Sequence, residues 1–452
     1  MSAKPVLSFL LARGRPLAPQ IEEQVRDAIR SGALEPGTQL PSTRALAADL
    51  GVSRGVIVNA YQELLAQGFL EARRRAVPVV ARRVEAPVER PIEPDVPVAG
   101  LLYNLRPDLP DLSLFPRGRW LAACGAALRG ATTSDFAYGD PFGAAQLRTQ
   151  LASFLWRTRG VGSEPGRVGV HVGSTQALSA LCAALRGRGV VRIGVEDPSH
   201  RWRRATIAAS GLEIVPIAAD EHGLNVEALA ATSVDAVVVS PDHNFPFGGT
   251  MNDERRDALI RWAVRNDTLV VEHDYDGFFR YDHGARSALE SQAPERVIYV
   301  GTASALLAPS LRIGWTVLPR YLVVDVAEHM AYQVFAHSRI LQLAFAQLLG
   351  AGHVDRHLRR ARTRYAVRHQ LARELLSAHG AAAGLYLHLP LDTSADERGL
   401  LDALKQDGIS LDGVRKNALE DCEPGLVVGF AAAPEPTLRE GLLRLRSRLA
   451  SV

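Results

Sequence analysis

Residues 34–70 read LEPGTQLPSTRALAADLGVSRGVIVNAYQELLAQGFL, and this stretch predicts two short helices joined by a tight turn. Ser42 and Ser53 each stand where a side-chain oxygen can accept a hydrogen bond from the first turn of a helix. Gly51 stands between them, where a glycine ends the first of the two helices. The pattern therefore predicts helices that begin after Ser42 and after Ser53 and meet across Gly51-Val52.

The flanking sequence extends this unit on both sides. Upstream, apolar residues recur at helical spacing and Gly32 supplies a stop, which predicts a first helix from about Pro19; the apolar residues are Ile21, Val25, Ala28 and Ile29. Downstream, two β-prone stretches, residues 69–71 and 77–80, predict a hairpin whose tip carries Arg73-Arg74-Arg75.

The third predicted helix has one apolar and one polar side. Ile57, Tyr61, Leu64 and Leu65 share its buried side, which leaves Arg54, Gly55 and Asn59 free near its start, where a recognition helix enters the major groove. Residues 1–83 carry 12 Lys and Arg against 7 Asp and Glu, whereas the remainder carries 40 against 42. A basic segment ahead of a nearly neutral body indicates a polyanionic partner.

This segment resembles the winged helix-turn-helix of the GntR regulators through residues 34–70. The resemblance implies that Arg44, Ser53, Arg54 and Tyr61 hold DNA and that the wing enters the minor groove. We expect Arg73 and Arg74 to contact phosphates, because guanidinium groups pair well with them. The alternative is a solvated charge run. The family usually has a glycine-rich wing tip, so the Arg-Arg-Arg-Ala sequence leaves the depth of insertion open.

The composition and a proline-rich linker predict the number and the bounds of the domains. The chain has 452 residues, 22% of them charged and 47% hydrophobic, as expected for two or three globular domains. We predict a DNA-binding domain at 1–82, a proline-rich linker at 83–100 and a large domain at 101–452. No apolar run spans a bilayer, so a soluble cytoplasmic protein is expected. Three scattered cysteines suggest neither a disulfide framework nor a metal site.

The large domain alternates short apolar runs with helical patterns. Five runs predict strands, at residues 190–195, 234–239, 268–271, 296–300 and 313–317. This alternation predicts an α/β domain with a mainly parallel sheet and helices on both faces. Ligands of such sheets bind at the carboxyl ends of the strands.

The segments that follow these runs carry a second resemblance. Together they are similar to fold-type I aminotransferases, and with the GntR-like head the chain resembles the MocR/GabR-type transcriptional regulators; the segments are 138–143, 173–176, 196–200, 241–249, 272–276 and 301–312. The resemblance implies a homodimer, a small C-terminal subdomain and a pyridoxal phosphate site. The implied cofactor or effector residues are Tyr138 (from the partner subunit), Ser174, Thr175, His200, Asn244, His273, Tyr275, Thr302, Ser304, Ala305 and Arg312.

Two of these residues depart from the family pattern. Ala305 stands where the family has its Schiff-base lysine, and the chain's lysines, Lys4, Lys405 and Lys416, lie far away in sequence. His273 stands where an acid normally pairs with the pyridine nitrogen. The neighbouring Asp274 substitutes only if the strand register slips by one residue, since adjacent side chains of a strand point to opposite faces.

At the other positions of the site, some residues of the family pattern are present and others are missing. The ring-stacking aromatic residue and the effector-binding arginine align near His200 and Trp202, and no arginine is found near residues 426–430. The anion-binding half survives, so the pocket is expected to prefer a phosphate or carboxylate. Ala305 has two open origins, an engineered replacement of lysine and natural divergence, and the second change at His273 favours divergence.

Three functions follow from this pattern. The first is a dimeric DNA-binding regulator, not an enzyme, whose aminotransferase-like domain lacks covalent cofactor chemistry and senses a small anion or serves as a dimerisation scaffold. The second is a regulator that binds pyridoxal phosphate non-covalently. The third, a working aminotransferase, is disfavoured because it needs an internal lysine to hold the cofactor and move the proton.

Overall fold

A computed structural model describes residues 9, 11–12, 14, 16–72, 77–81, 102–162, 164–282, 286–332, 337–378 and 380–450. The chain divides into two compact units, residues 1–97 and 98–452. The predicted linker, residues 83–100, lies outside the described residues.

The first unit contains the helices and the hairpin that the sequence predicts. Its elements are α1 (Leu17–Arg30), α2 (Thr43–Leu50), α3 (Arg54–Ala66), β1 (Leu70–Glu71) and β2 (Val79–Val80). Strands β1 and β2 pair antiparallel, with Leu70 opposite Val80. Ile21, Val25, Leu46, Ile57 and Leu64 are buried together and form the core of this unit.

The two predicted caps differ in the structure. The Ser42 hydroxyl accepts a hydrogen bond from the Ala45 amide at 3.2 Å, and Gly51 ends α2 with a φ of +62°. Ser53 occupies the cap position of α3 in an extended conformation, but its side chain accepts no such bond. The predicted cap at Ser53 is therefore right in position and wrong in its hydrogen bond. Arg73 and Arg74 lie outside the described residues.

The second unit is built on a mainly parallel sheet, as predicted. Its described strands run in the order β4-β11-β10-β9-β8-β5-β6-β7. They are β4 (Val168–His171), β5 (Arg192–Asp197), β6 (Glu213–Asp220), β7 (Gly223–Leu224), β8 (Ala236–Val239), β9 (Leu269–Asp274), β10 (Val297–Thr302) and β11 (Gly314–Val317). Strands β5, β6, β8, β9 and β10 are parallel, whereas β11 is antiparallel to both its neighbours.

Helices cover both faces of this sheet because successive strand residues point to opposite sides. On β8, Val238 packs with Leu178 and Ile207, whereas Val237 packs with Leu229 and Leu259 on the other side. The large-domain helices are α4 (Arg117–Gly130), α5 (Ala145–Arg159), α6 (Gly173–Gly187), α7 (Arg201–Ala209), α8 (Val226–Ala230), α9 (Asp253–Arg265), α10 (Ala303–Leu306), α11 (Val323–Tyr332), α12 (Arg339–Gly350) and α13 (His353–Leu376).

The small C-terminal subdomain follows α13. Its elements are β12 (Tyr386–Pro390), α14 (Glu397–Gln406), β13 (Ile409–Ser410), β14 (Asp412–Gly413), β15 (Gly425–Gly429) and α15 (Glu435–Leu449), and β13 pairs with β3 (Tyr103–Asn104) near the start of the unit. Strands β12, β15 and β14 form an antiparallel sheet. The loop after β14 and the segment after β3 face the carboxyl ends of the parallel strands across a cavity.

Candidate functional site

The first unit presents a polar surface at the starts of α2 and α3. Arg44, Ser53, Arg54 and Asn59 are all exposed. The Arg54 Nε donates a 3.4 Å hydrogen bond to the Thr43 hydroxyl, which joins the starts of the two helices. Arg44 and Arg54 carry no carboxylate partner among the described residues, so both guanidinium groups are available to a polyanion.

Tyr61 is placed differently from these residues. It is buried in the core of the first unit, and its hydroxyl donates a 3.0 Å hydrogen bond to the Pro41 carbonyl. Burial raises the pKa of the phenol, so it stays neutral. Tyr61 thus holds the segment before α2 in place, and its direct contact with DNA stays a prediction.

The second unit has a cavity of about 790 Å³ at the carboxyl ends of the parallel strands. Six predicted residues line it: Ser174, Thr175, His200, Tyr275, Ser304 and Arg312. Sequence reasoning missed several others, which come from distant segments: Arg106, Asp108, Arg201, Asp412 and Lys416. The volume suits a small molecule.

One end of the cavity is a cup for an anion. Ser174 and Thr175 lie in the first turn of α6, where backbone N–H groups and the helix dipole favour negative charge. Ser174 is only 8% exposed and has no side-chain hydrogen bond within the described part of the chain. The Arg312 guanidinium lies against Gly173, where an added Cβ would meet it at 3.2 Å, and donates to the Val172 carbonyl.

Thr302 directly precedes the short helix α10 beside this cup, and Ala305 lies within it. The Thr302 hydroxyl accepts a 3.1 Å hydrogen bond from the Ser304 amide and so caps α10. Ala305 is 1% exposed and packs in the hydrophobic core. Its methyl group offers no nucleophile, and it does not belong to the cavity lining.

The register of β9 decides which side chain meets the cavity side. His273 pairs with Val300 and Asp274 with Gly301 on the parallel neighbour β10. Asp274 accepts hydrogen bonds from the Tyr299 hydroxyl at 2.6 Å and pairs with the Arg159 guanidinium at 2.9 Å. Asp274 is therefore committed to this buried network and does not replace the missing acid.

His273 is held neutral by its surroundings. Burial, the Arg203 guanidinium and His200 lower its pKa well below the usual range. Arg203 Nη2 lies 3.3 Å from His273 Nδ1. Because an arginine only donates, Nδ1 accepts and the proton of the neutral ring sits on Nε2. Position 273 therefore presents a neutral N–H group where an aminotransferase presents a carboxylate.

Lys416 corrects an expectation drawn from the sequence. Its distance from Ala305 in the chain suggested that it lies away from the site, yet it lines the cavity from the small subdomain. Burial and the nearby Arg201 lower its pKa, but its ammonium group forms an ion pair with Asp412. The ion pair favours the charged form, which is not a nucleophile.

Two predicted residues lie away from the cavity. The Asn244 amide donates to the Asp220 carbonyl and accepts from the Gly249 amide, so its side chain stabilises a turn. Tyr138 is fully exposed and lines a separate cavity of about 180 Å³ with Arg339 and Gln342. A ligand role for either residue stays a prediction.

Comparison with known proteins gives the same two-part organisation. The family "Bacterial regulatory proteins, gntR family" matches residues 17–79, and "Aminotransferase class I and II" matches residues 117–398. The pyridoxine biosynthesis regulator PdxR of Corynebacterium glutamicum is 30% identical over 93% of both chains. The probable rhizopine catabolism regulatory protein MocR of Rhizobium meliloti is 28% identical over 96% of this chain and 93% of its own.

This chain belongs to the MocR/GabR-type transcriptional regulators. The large domain also matches a kynurenine aminotransferase of Pyrococcus horikoshii, with a TM-score of 0.71 and 22% identity over 78% of this chain and 92% of the other. That likeness shows the aminotransferase fold. The family and fold class expected from the sequence are therefore confirmed.

The aminotransferase-like fold of MocR/GabR-type regulators normally holds pyridoxal phosphate, and the residues here fit only part of that cofactor. The cup with Ser174 and Arg312 suits its phosphate group. The position of the Schiff-base amine is a buried methyl group, and the position of the ring-nitrogen acid is a neutral histidine. The Tyr275 hydroxyl donates to the Asp108 carbonyl at 2.7 Å. The pyridine nitrogen of the cofactor would therefore lack its acid, and the aldehyde carbon of the cofactor would lack its amine.

Two features are absent from the described residues of this MocR/GabR-type chain. No described helix combines the length and apolarity needed to cross a bilayer. No group of three or more His, Cys, Asp or Glu side chains is arranged there to hold a metal ion.

Proposed function

We propose that this chain is a DNA-binding regulator whose aminotransferase-like domain lacks covalent pyridoxal phosphate chemistry and senses a small anionic effector or serves as a dimerisation scaffold. One observation carries the proposal: the anion cup of Ser174 and Arg312 is kept, while the adjacent position of the reactive amine is the buried Ala305. A site that binds a ligand without converting it is suited to a regulator. Because the proposed partner is operator DNA, the protein is proposed to act in the cytoplasm.

An effector regulates only through a difference in affinity. The anion must bind one arrangement of the dimer more tightly than another, and the coupling free energy is then reciprocal between anion and DNA. A homodimer would present two winged heads, which require two half-sites at a fixed spacing.

Covalent chemistry is tested with borohydride. We expect no reduced adduct on any side chain that lines the cavity after the full-length protein is incubated with pyridoxal phosphate and borohydride, as read by peptide mass spectrometry. Because Lys416 lines the cavity, an adduct on Lys416 would contradict the proposal. Lys416→Arg is the matched control, since it keeps the charge beside Asp412 and removes the amine.

DNA binding is tested by fluorescence anisotropy with duplex DNA at several salt concentrations. We expect log K to fall linearly with log salt, and Arg54→Gln to reduce the slope by about one if it neutralises one phosphate. Arg320→Gln is the control, because Arg320 is an exposed arginine of the second unit that pairs with Glu164. A slope near zero in the wild-type protein would contradict a DNA-binding role.

A second candidate is a regulator that binds pyridoxal phosphate without a covalent bond. The anion cup favours it, since the phosphate accounts for much of the polar recognition of that cofactor. An absorption band that survives dialysis of the full-length protein and disappears with inorganic phosphate would support it. A colourless protein after incubation with excess cofactor would count against it.

A further inference from the structure

The side of the cavity that should receive a cofactor ring is occupied by this chain's own side chains. In the family, the residue at position 273 contacts the ring nitrogen, so a bound ring would lie against that side chain. Here His273 is 2% exposed and absent from the cavity lining. The Trp202 indole, which does line the cavity, meets the His273 ring edge to face, with centroids 5.5 Å apart at 63°.

Arg203 holds this arrangement from below. Its guanidinium is fully buried and joins the carboxyl ends of three neighbouring strands: it contacts Glu196 of β5 at 3.4 Å, the Ser240 hydroxyl after β8 at 2.8 Å and His273 of β9 at 3.3 Å. A buried charge with these partners is costly to displace. Trp202 and Arg203 together therefore form a fixed plug, which we call the ring plug.

His200 extends the ring plug on the other side of Trp202. Its imidazole stacks on Phe245 with centroids 3.7 Å apart and lies 6.0 Å from the Trp202 indole. Burial and the neighbouring arginines lower the pKa of His200, so no charge is added there. The ring side of the cavity is thus aromatic and its cation, Arg203, is already paired with Glu196, which confines anion recognition to the open remainder.

The open remainder carries two cations that lack a carboxylate partner among the described residues. Arg312 lies at the cup beside Gly173, and Arg201 lines the cavity at the start of α7, near Lys416 of the small subdomain. The other cationic side chains of the wall are already neutralised, since Arg106 pairs with Asp108 and Lys416 with Asp412. One tetrahedral anion at the cup would leave Arg201 without an anionic partner.

We propose that the cavity binds a ring-free aliphatic dianion, with a phosphate-like group on Ser174, Thr175 and Arg312 and a second anionic group on Arg201, while Trp202 and Arg203 exclude an aromatic ring. This assignment rests on the proposed function and specifies its effector class. Ser174, buried and unpartnered in the described structure, supplies the hydroxyl that the first anionic group engages.

The dianion is tested by titration calorimetry of the full-length protein with 3-phosphonopropionate, inorganic phosphate and propionate. We expect 3-phosphonopropionate to bind at least about tenfold more tightly than phosphate, because a second charge-assisted hydrogen bond forms. Arg201→Gln should remove that advantage and leave phosphate binding unchanged, whereas Arg312→Gln should weaken both ligands. Equal affinities of phosphonate and phosphate, or an advantage that survives Arg201→Gln, would overturn the second subsite.

The ring plug is tested by competition with pyridoxal phosphate. We expect the cofactor to displace 3-phosphonopropionate poorly from the wild type and from Trp202→Phe, which keeps an aromatic ring, and at least about tenfold better from Trp202→Ala. Equal displacement from all three proteins would overturn the plug. Failure of the effector-sensing role in the proposed function is distinguishable, because none of the anions would then bind the wild type in an Arg312-dependent way.

Discussion

At the scale of single residues, the most consequential side chain is Arg203. It joins Glu196, Ser240 and His273 beneath the cavity and is 1% exposed. It lies in the first turn of α7, although arginines are ordinarily exposed. Its burial arises because the sheet end offers a carboxylate and a hydroxyl within reach, which periodicity does not reveal.

Removal of Arg203 alone should be strongly destabilising. Arg203→Met leaves Glu196 buried without its cation, and we expect a loss of about 3–5 kcal/mol in the free energy of unfolding. The double variant Arg203→Met/Glu196→Gln should recover part of this loss, because no isolated charge remains. Arg320→Met is the control, since Arg320 and Glu164 form an exposed pair expected to contribute less than about 1 kcal/mol. Urea melts followed by tryptophan fluorescence measure all four proteins, and equal losses for the two single variants would refute the argument.

Glu272 should make stability depend on pH. Burial raises its pKa from 4.5 to about 7. Below about pH 4.5 the carboxyl is protonated in both states; between 4.5 and 7 the folded state holds a proton that the unfolded state releases, so stability falls as pH rises and levels off above 7. The decline is at most about 3 kcal/mol. Urea melts at pH 5 and pH 8 should show a smaller decline for Glu272→Gln, and an unchanged decline would exclude this residue as its source.

At the scale of elements, the two helix starts of the first unit provide a matched comparison. Ser42 accepts a hydrogen bond from Ala45 and Ser53 accepts none from its helix. We expect Ser42→Ala to cost about 1 kcal/mol and to speed hydrogen exchange at the start of α2. Ser53→Ala should leave exchange in α3 nearly unchanged. Hydrogen-exchange mass spectrometry of the full chain measures both, and equal acceleration in the two helices would contradict the assignment of the caps.

The order and type of most elements could be predicted from the sequence, but the direction of individual strands could not. Residues 313–317 were expected as a strand of the sheet, and β11 indeed covers Gly314–Val317. An apolar run does not encode whether its neighbour is parallel, so the antiparallel pairing of β11 with β10 and β4 needed the structure. Short strands such as β7, Gly223–Leu224, carry too few residues for any period.

The site was predictable wherever its residues directly follow a strand or open a helix. Ser174, Tyr275, Ser304 and Arg312 were found in this way, because the carboxyl ends of parallel strands converge. The sequence placed Lys416 away from the site, because contact between the small subdomain and the sheet edge depends on the tertiary structure. No local pattern relates it to residues more than a hundred positions earlier.

At the scale of the whole molecule, the DNA-binding segment and the large domain carry net charges of opposite sign. The segment 1–83 has an excess of five positive charges and the remainder an excess of two negative charges. Attraction to DNA therefore belongs to the head, whereas Arg201 and Arg312 supply positive charge inside the cavity of the body. An anionic effector of the body and the DNA of the head then need not compete for the same cations.

A regulator with two winged heads must also form a dimer, which is a property of the whole chain. Leu121 is 74% exposed on α4, and Leu128, Phe136 and Tyr138 nearby in sequence are also exposed. Leu121 and Leu128 are seven residues apart and so lie on one face of α4, and an exposed apolar patch is typical of an interaction surface. If that surface is the dimer interface expected for the family, Leu121→Arg should shift the protein from dimer to monomer in sedimentation velocity and weaken binding to a two-half-site duplex more than to a single half-site. Val264→Arg is the control, because Val264 is also exposed but lies on α9, an outer helix. A Leu121→Arg protein that sediments as the wild type would place the interface elsewhere, and a monomeric wild type would remove the requirement for paired half-sites.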